Sequence, residues 1–217
     1  MVARQRGWRA LGAPVGFALL LGLGATSGCK PKEVPLAPPA GTPAMDPTHA
    51  AYFDDGLTAT PVVLVGRAPA DVVDQGLFAH RLGHADLVVV VTIEDMWERS
   101  RGKGAQRGVE VELGEVLLGE VPKRTSARQE LRVVTQDPLP GELRGQRFIL
   151  FVRWSPGERP PERHHLMVAD DATIEVIEAM VAHATEAGAL KKGVKKRTKR
   201  GARAGGKGAK GSPKGAK

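Results

Sequence analysis

Between Leu87 and Val168 the apolar residues come either in strict alternation or in short unbroken runs rich in Val, Ile and Leu, and both patterns belong to strands. Leu87 to Ile93 is an unbroken run, which predicts a strand covered on both faces. From Val109 to Leu113 the pattern alternates: Val109, Val111 and Leu113 point one way, Glu110 and Glu112 the other, so one face is wet. Leu131 to Thr135 predicts a third strand, Phe148 to Val152 a fourth covered on both faces, and His164 to Val168 a fifth. Asp137-Pro138 and Pro140-Gly141 supply turns after the third, and Pro156 to Pro161 a loop before the fifth. Arg99 to Gly108, rich in glycine and basic residues, predicts a long solvated hairpin loop.

Two helices flank these runs. Asp71 to Leu82 follows Pro69 and precedes Gly83, with Val73, Leu77 and His80 as its expected apolar face and Gly76 as an internal weakness. In Ala172 to Ala187 the residues Ile174, Ile177, Val181 and Ala184 recur at helical spacing, Asp170 or Asp171 can cap the start, and Gly188 suits the end. Pro61 to Val65 predicts a short strand ahead of both. Strands followed by a helix, with antiparallel connections, favour a mainly β fold, a small barrel or sandwich, over a parallel α/β one. A chain of 217 residues has room for one such domain.

The strand order and three local patterns resemble the OB-like barrel of the tissue-inhibitor-of-metalloproteinase and netrin-module group. They are Ala85-Asp86-Leu87-Val88-Val89-Val90, Glu115-Val116-Leu117-Leu118-Gly119 and Gly145-Gln146-Arg147-Phe148-Ile149-Leu150-Phe151. The resemblance covers roughly residues 85–187 and implies a fold only. The animal inhibitors act through a free N-terminal cysteine and disulfides, whereas Cys29 is the sole cysteine here. The chain thus divides into a leader (1–28), a Pro-rich tether (29–48), a poorly determined lead-in containing the first helix (49–84), an OB-like β domain with its closing helix (85–188) and a disordered basic tail (189–217).

Residues 1–10 carry Arg4, Arg6 and Arg9 without an acid. The apolar stretch Leu11 to Gly24 follows, then small residues up to Cys29: the three regions of a secretory signal. Ala25-Thr26-Ser27-Gly28-Cys29 resembles the lipobox of bacterial lipoproteins, with Thr26 where that family usually has Leu. The resemblance implies cleavage before Cys29, acylation of Cys29 and permanent attachment to a membrane. An ordinary signal peptide or an uncleaved anchor are the alternatives. Lys30 stands where an Asp would signal retention in the inner membrane, which favours the outer membrane or cell surface. With one cysteine, no internal disulfide and no thiolate cluster can form. Pro31, Pro35, Pro38, Pro39, Pro43 and Pro47 make the segment after it a semi-extended spacer.

The net charge of +8 is unevenly placed. Of the 32 Lys and Arg, 12 fall in residues 191–217 and three in 1–28, leaving 17 against 24 acids in 29–190, a net of −7. The tail has no acid and no aromatic residue. Lys191, Lys192, Lys195, Lys196, Arg197, Lys199, Arg200 and Arg203 would bind polyanions by releasing their counterions, with no stacking platform to select among bases. In an envelope the partners of that kind are anionic polymers, anionic lipid and extracellular DNA; a solubility tail without a specific partner is the alternative.

Chemistry-bearing patterns are few. His80 and His84 have the spacing at which two imidazoles on one helix share a metal, but Gly83 is expected to put His84 off the spiral and no third ligand is evident. His164 and His165 are neighbours on a strand and so face opposite ways. Ser100, Ser126 and Ser155 lie outside any nucleophile elbow. Glu94-Asp95 would be split by a strand, and Asp170-Asp171 is explained by a cap. Gly201 to Gly208 nearly spells a phosphate loop, but Gly208 replaces its hydroxyl residue. No catalytic, cofactor or metal residue is therefore assigned. The expectation is a lipid-anchored, non-enzymatic interaction module, with an envelope enzyme or metal-binding protein using core histidines as the alternative. A third option is a part of a larger assembly, contacting it around Trp97 and Trp154.

Overall fold

The computed structural model describes residues 34–101 and 104–190. The elements are β1 (Gly56–Thr58), α1 (Pro69–His84), β2 (Leu87–Arg101), β3 (Gly104–Leu118), β4 (Arg128–Val133), β5 (Arg147–Trp154), β6 (Glu162–Val168) and α2 (Asp171–Glu186), with 3-10 turns at Pro47–Tyr52 and Gly141–Leu143. The fold is mainly β: one curled six-stranded mixed sheet in the order β1-β6-β5-β2-β3-β4, with two helices. Every pairing is antiparallel except β1 on β6.

Strand parity divides the core into two layers. The inner face of the curl collects Val89, Val91, Val109, Val111, Leu150 and Leu166 with their neighbours; the outer face collects Val88, Val90, Ile149, Phe151 and Met167 under the two helices. The unbroken apolar runs of β2 and β5 are covered on both sides, as their composition requires. Glu112 in β3 is exposed while Val109 and Val111 are buried. Bulges between Val88 and Val89, Val89 and Val91, and Ile93 and Asp95 bend β2, and such bends raise the local twist that curls a sheet.

Several sequence expectations are corrected. Pro61 to Val65 is not a strand: Val63 and Val65 are exposed, Val62 and Leu64 pack toward the outer core, and β1 forms earlier, where Gly56–Thr58 can line up along β6. Helix α1 continues through His84 to a cap at Ala85, so Gly83 does not end it. Its buried face is Phe78, Arg81 and Leu82, whereas Val73 and His80 are exposed and Leu77 is only half-buried. The helix docks by its C-terminal half, where Phe78 meets Phe151 edge-on at 6.2 Å between centroids. In the span read as a solvated loop, the β2–β3 ladder continues to the Arg101–Gly104 pair. The third strand lies at Arg128–Val133, a few residues early.

The Pro-rich segment is not only a spacer. Leu36 is 1% exposed and belongs to the inner core. Its N–H donates to Gln129 Oε1 at 2.7 Å, while Gln129 Nε2 donates to Val34 O, Ser126 N–H also donates to Val34 O, and Val34 N–H donates to Ser126 Oγ. Residues 34–36 therefore bracket the outer edge of β4. Helix α2 starts on the Asp170 carboxylate, which accepts from Thr173 N–H at 2.7 Å and Thr173 Oγ1 at 2.8 Å, and buries Ile174 and Ile177. It closes on Gly188, whose φ of 75° is the left-handed conformation expected there.

Candidate functional site

Buried polar groups concentrate where the chain enters β1 opposite β6. Phe53 is fully buried and fixes the approach, and the parallel ladder sets Gly56 beside His165 and Thr58 beside Met167. The adjacent acids Asp54 and Asp55 thus meet the adjacent imidazoles His164 and His165. Because neighbours on a strand face opposite ways, the four residues form two pairs, one on each face of the sheet.

On the helix-covered face, His165 Nδ1 lies 2.7 Å from Asp54 Oδ1 and His165 Nε2 lies 2.9 Å from Thr58 Oγ1. The Asp54 carboxylate also accepts Gly56 N–H at 3.1 Å. Burial works to raise the Asp54 carboxyl, but the hydrogen bond and charge of His165, with Gly56 N–H, bring it below its ordinary value. Burial pushes His165 down, outweighing the Asp54 bond. An ionised Asp54 only accepts, so His165 Nδ1 carries the proton; in the neutral ring Nε2 is then bare and Thr58 O–H donates to it. Buried Arg81, whose own affinity for its proton is lowered by burial, donates to Tyr52 O at 2.9 Å and adds positive charge beside Asp54.

On the inner face the second pair is far less satisfied. Asp55 adopts a φ of 54°, donates its N–H to His164 O at 2.8 Å, accepts His164 N–H on its carboxylate at 3.1 Å, and accepts Val134 N–H on its carbonyl at 2.7 Å. That last bond joins β1's end to β4's end, so the two edges of the curled sheet meet at Asp55. His164 is 2% exposed; Nδ1 lies 3.4 Å from Asp55 Oδ1 and the ring faces the Arg132 backbone, but neither ring nitrogen makes a well-formed hydrogen bond. Burial lowers the ring's affinity for a proton, outweighing the nearby Asp55 and the Arg132 backbone. Glu162, two residues along the same face, is buried with Oε2 unpartnered, and burial followed by Asp55 raises its carboxyl to about 7.

The helix-spaced pair His80 and His84 stands elsewhere, in a group of near-parallel rings. His84 stacks on His49 at 3.8 Å and His80 on Tyr52 at 4.5 Å, with 6.2 Å between the two helical imidazoles. Burial, then the charges of His49 and His80, lowers His84. Among the described residues no group of three or more His, Cys, Asp or Glu is arranged to hold a metal.

Of the other residues singled out from the sequence, Ser126 is engaged with Val34 and Ser155 is buried. Asp95 pairs with Arg144, and Glu94 joins them with Glu110 and Arg128 around a shallow surface cleft of about 370 Å³. Trp97 lies across Gly108, the position at which any Cβ would collide with its ring, and Arg99 sits over that ring at 4.4 Å. Trp154 is 4% exposed in the inner core, which corrects the expectation that it forms a contact face. Cys29, the tail residues Lys191, Lys192, Lys195, Lys196, Arg197, Lys199, Arg200 and Arg203, and the Gly201 to Gly208 stretch lie outside the described residues. No described helix is long and apolar enough to cross a membrane.

Asp54, Asp55, Thr58 and Glu162 were not singled out from the sequence. The one available signal is that an Asp-Asp and a His-His dipeptide each sit at a strand, so that pairing those strands would match the two. Comparisons of the sequence with protein-family models and with curated proteins returned no match.

Proposed function

We propose that the chain is a lipid-anchored bacterial envelope protein, held to the membrane through Cys29, whose β domain is a non-enzymatic interaction module and whose basic tail binds polyanions. The observation that carries this reading is that the charge changes sign where α2 ends. Residues 29–190 have a net charge of −7, and past the Gly188 cap come 12 Lys and Arg with no acid. An acidic domain with a separate cationic extension engages an anionic polymer by its extension and keeps its own faces for another partner. The leader and Lys30 favour the outer membrane or cell surface. The finer fold is proposed to be an OB-like barrel; the strand order, counted from β2 as fifth, fourth, first, second, third, and the Asp55–Val134 bond support it.

The test is binding of residues 30–217 to envelope polymers, anionic vesicles and DNA at rising salt, beside a chain ending at Gly188. Binding that requires the tail and falls steeply with log salt is the expected result. Equal binding by both forms would transfer recognition to the domain and refute the role of the tail. A Cys29→Ser chain should lose its lipid and its membrane association together.

A second reading, an envelope enzyme working through a core histidine, is favoured by one specific observation: the continuous chain Asp54–His165–Thr58. Here the histidine is His165, while His80 and His84 are stacked with no third metal ligand beside them among the described residues.

A further inference from the structure

We infer that Thr58 Oγ1 is an activated nucleophile that accepts acyl groups from esters, with His165 as its general base and Asp54 as the residue that positions His165. This rests on the second reading above and names its reaction. A hydroxyl is a poor nucleophile until a base stands ready to take its proton. Three features bring Thr58 to that state. His165 Nε2 is 2.9 Å from Thr58 Oγ1, within proton-transfer distance. His165 Nδ1 is held at 2.7 Å by Asp54, which fixes the tautomer with Nε2 bare and would stabilise the ring when it becomes charged. The Asp54 carboxylate also accepts Gly56 N–H at 3.1 Å, a bond that favours the ionised form this role needs.

The location fits a group that must meet a substrate. Thr58 ends a three-residue edge strand and is only partly buried, and the Asp54 side chain is 53% exposed, while the imidazole between them is buried. The polar chain therefore runs along the rim of the sheet, from a solvent-reaching carboxylate through a buried base to a threonine that is itself partly exposed. His164, on the other face, has none of these contacts.

In the reaction, Thr58 Oγ1 forms a bond to the carbonyl carbon as His165 Nε2 takes the hydroxyl proton. The bond from that carbon to the leaving oxygen then breaks, and the leaving oxygen takes the proton from His165. Water repeats the sequence on the acyl-threonine, giving up a proton to His165, releasing the carboxylic acid and returning the proton to Thr58. No other reactant is needed.

The experiment follows p-nitrophenyl acetate turnover by the purified full-length protein and maps acetylated peptides by mass spectrometry after brief reaction. The expected result is acetyl on Thr58, a rate that climbs as the His165 ring loses its proton, and at least about a 100-fold loss in Thr58→Val, His165→Gln and Asp54→Asn. Thr58→Ser, which keeps the hydroxyl, should retain turnover, and unchanged far-UV spectra and melting of the Val variant separate lost chemistry from lost structure. If Thr58→Val stays active while His165→Gln and Asp54→Asn do not, His165 acts directly on water: the nucleophile assignment fails and the core-histidine reading survives. If the protein is no faster than free imidazole, both fail.

Discussion

Asp54 with His165 and Asp55 with His164 are the same residue types one step apart in the chain, yet they end in opposite states. The outer imidazole has a partner on each nitrogen, and its acid reaches solvent. The inner imidazole has none, and shares its surroundings with a second carboxyl, Glu162, that is also under-satisfied. What separates them is strand parity: one residue of shift turns a side chain from the rim under α1 to the interior of the curl. Polar groups are cheap to bury when both ends are bonded and costly when they are not, so the two imidazoles differ in what they contribute to stability.

The largest loss should come from His165→Leu, which removes both hydrogen bonds and leaves the partly buried Thr58 hydroxyl without its acceptor; denaturant unfolding at pH 7 should put it at about 2 kcal/mol. Next comes Glu162→Gln. A carboxyl that binds its proton more tightly when folded favours folding at low pH, and this contribution is lost as pH rises from its ordinary value of 4.5 through about 7. At pH 8 the Gln variant should therefore exceed the parent by about 2 kcal/mol, and at pH 4 the two should coincide.

His164→Leu should shift stability by less than about 1 kcal/mol, or raise it, because no well-formed side-chain hydrogen bond is given up. Equal losses at His164 and His165 would break the comparison. The smallest effect belongs to His84, whose proton affinity is lowered in the folded state. Its contribution is complete above its ordinary value of 6.5 and is lost as pH falls below it, and His84→Gln should flatten that part of a melting-temperature profile.

The strands were legible because β2, β3 and β5 are repetitive: five or more apolar or alternating residues fix both the element and the covered face. Helix α2 was legible for a related reason, since Asp170, the Ile174–Ile177 spacing and Gly188 agree with one another. Boundaries failed where tertiary contacts decide. Pro61 to Val65 has the composition of a strand but no strand alongside it, whereas Gly56–Thr58 has little strand character and a ready partner in β6. Leu36 looked like part of a spacer because its partner Gln129 lies 93 residues away. The polar site was hidden for the same reason, as Asp54 and His165 are separated by 111 positions and meet only through a parallel edge pairing. Gly83 suggests an early helix end, but Phe78, Arg81 and Leu82 are buried along the last turns of α1, and the helix runs on through His84.

The single bond from Val134 N–H to Asp55 carbonyl also sets where the sheet loosens first. A strand such as β5, paired along both sides, can release its amide protons to solvent only when much of the sheet opens. The Val134 amide needs only one bond to break at a place where the chain is in a left-handed conformation that a residue with a side chain adopts at some cost. In deuterated water, Val134 and the amides of β1 should exchange well ahead of Ile149, Leu150 and Phe151, making Asp55 the hinge about which the curl breathes.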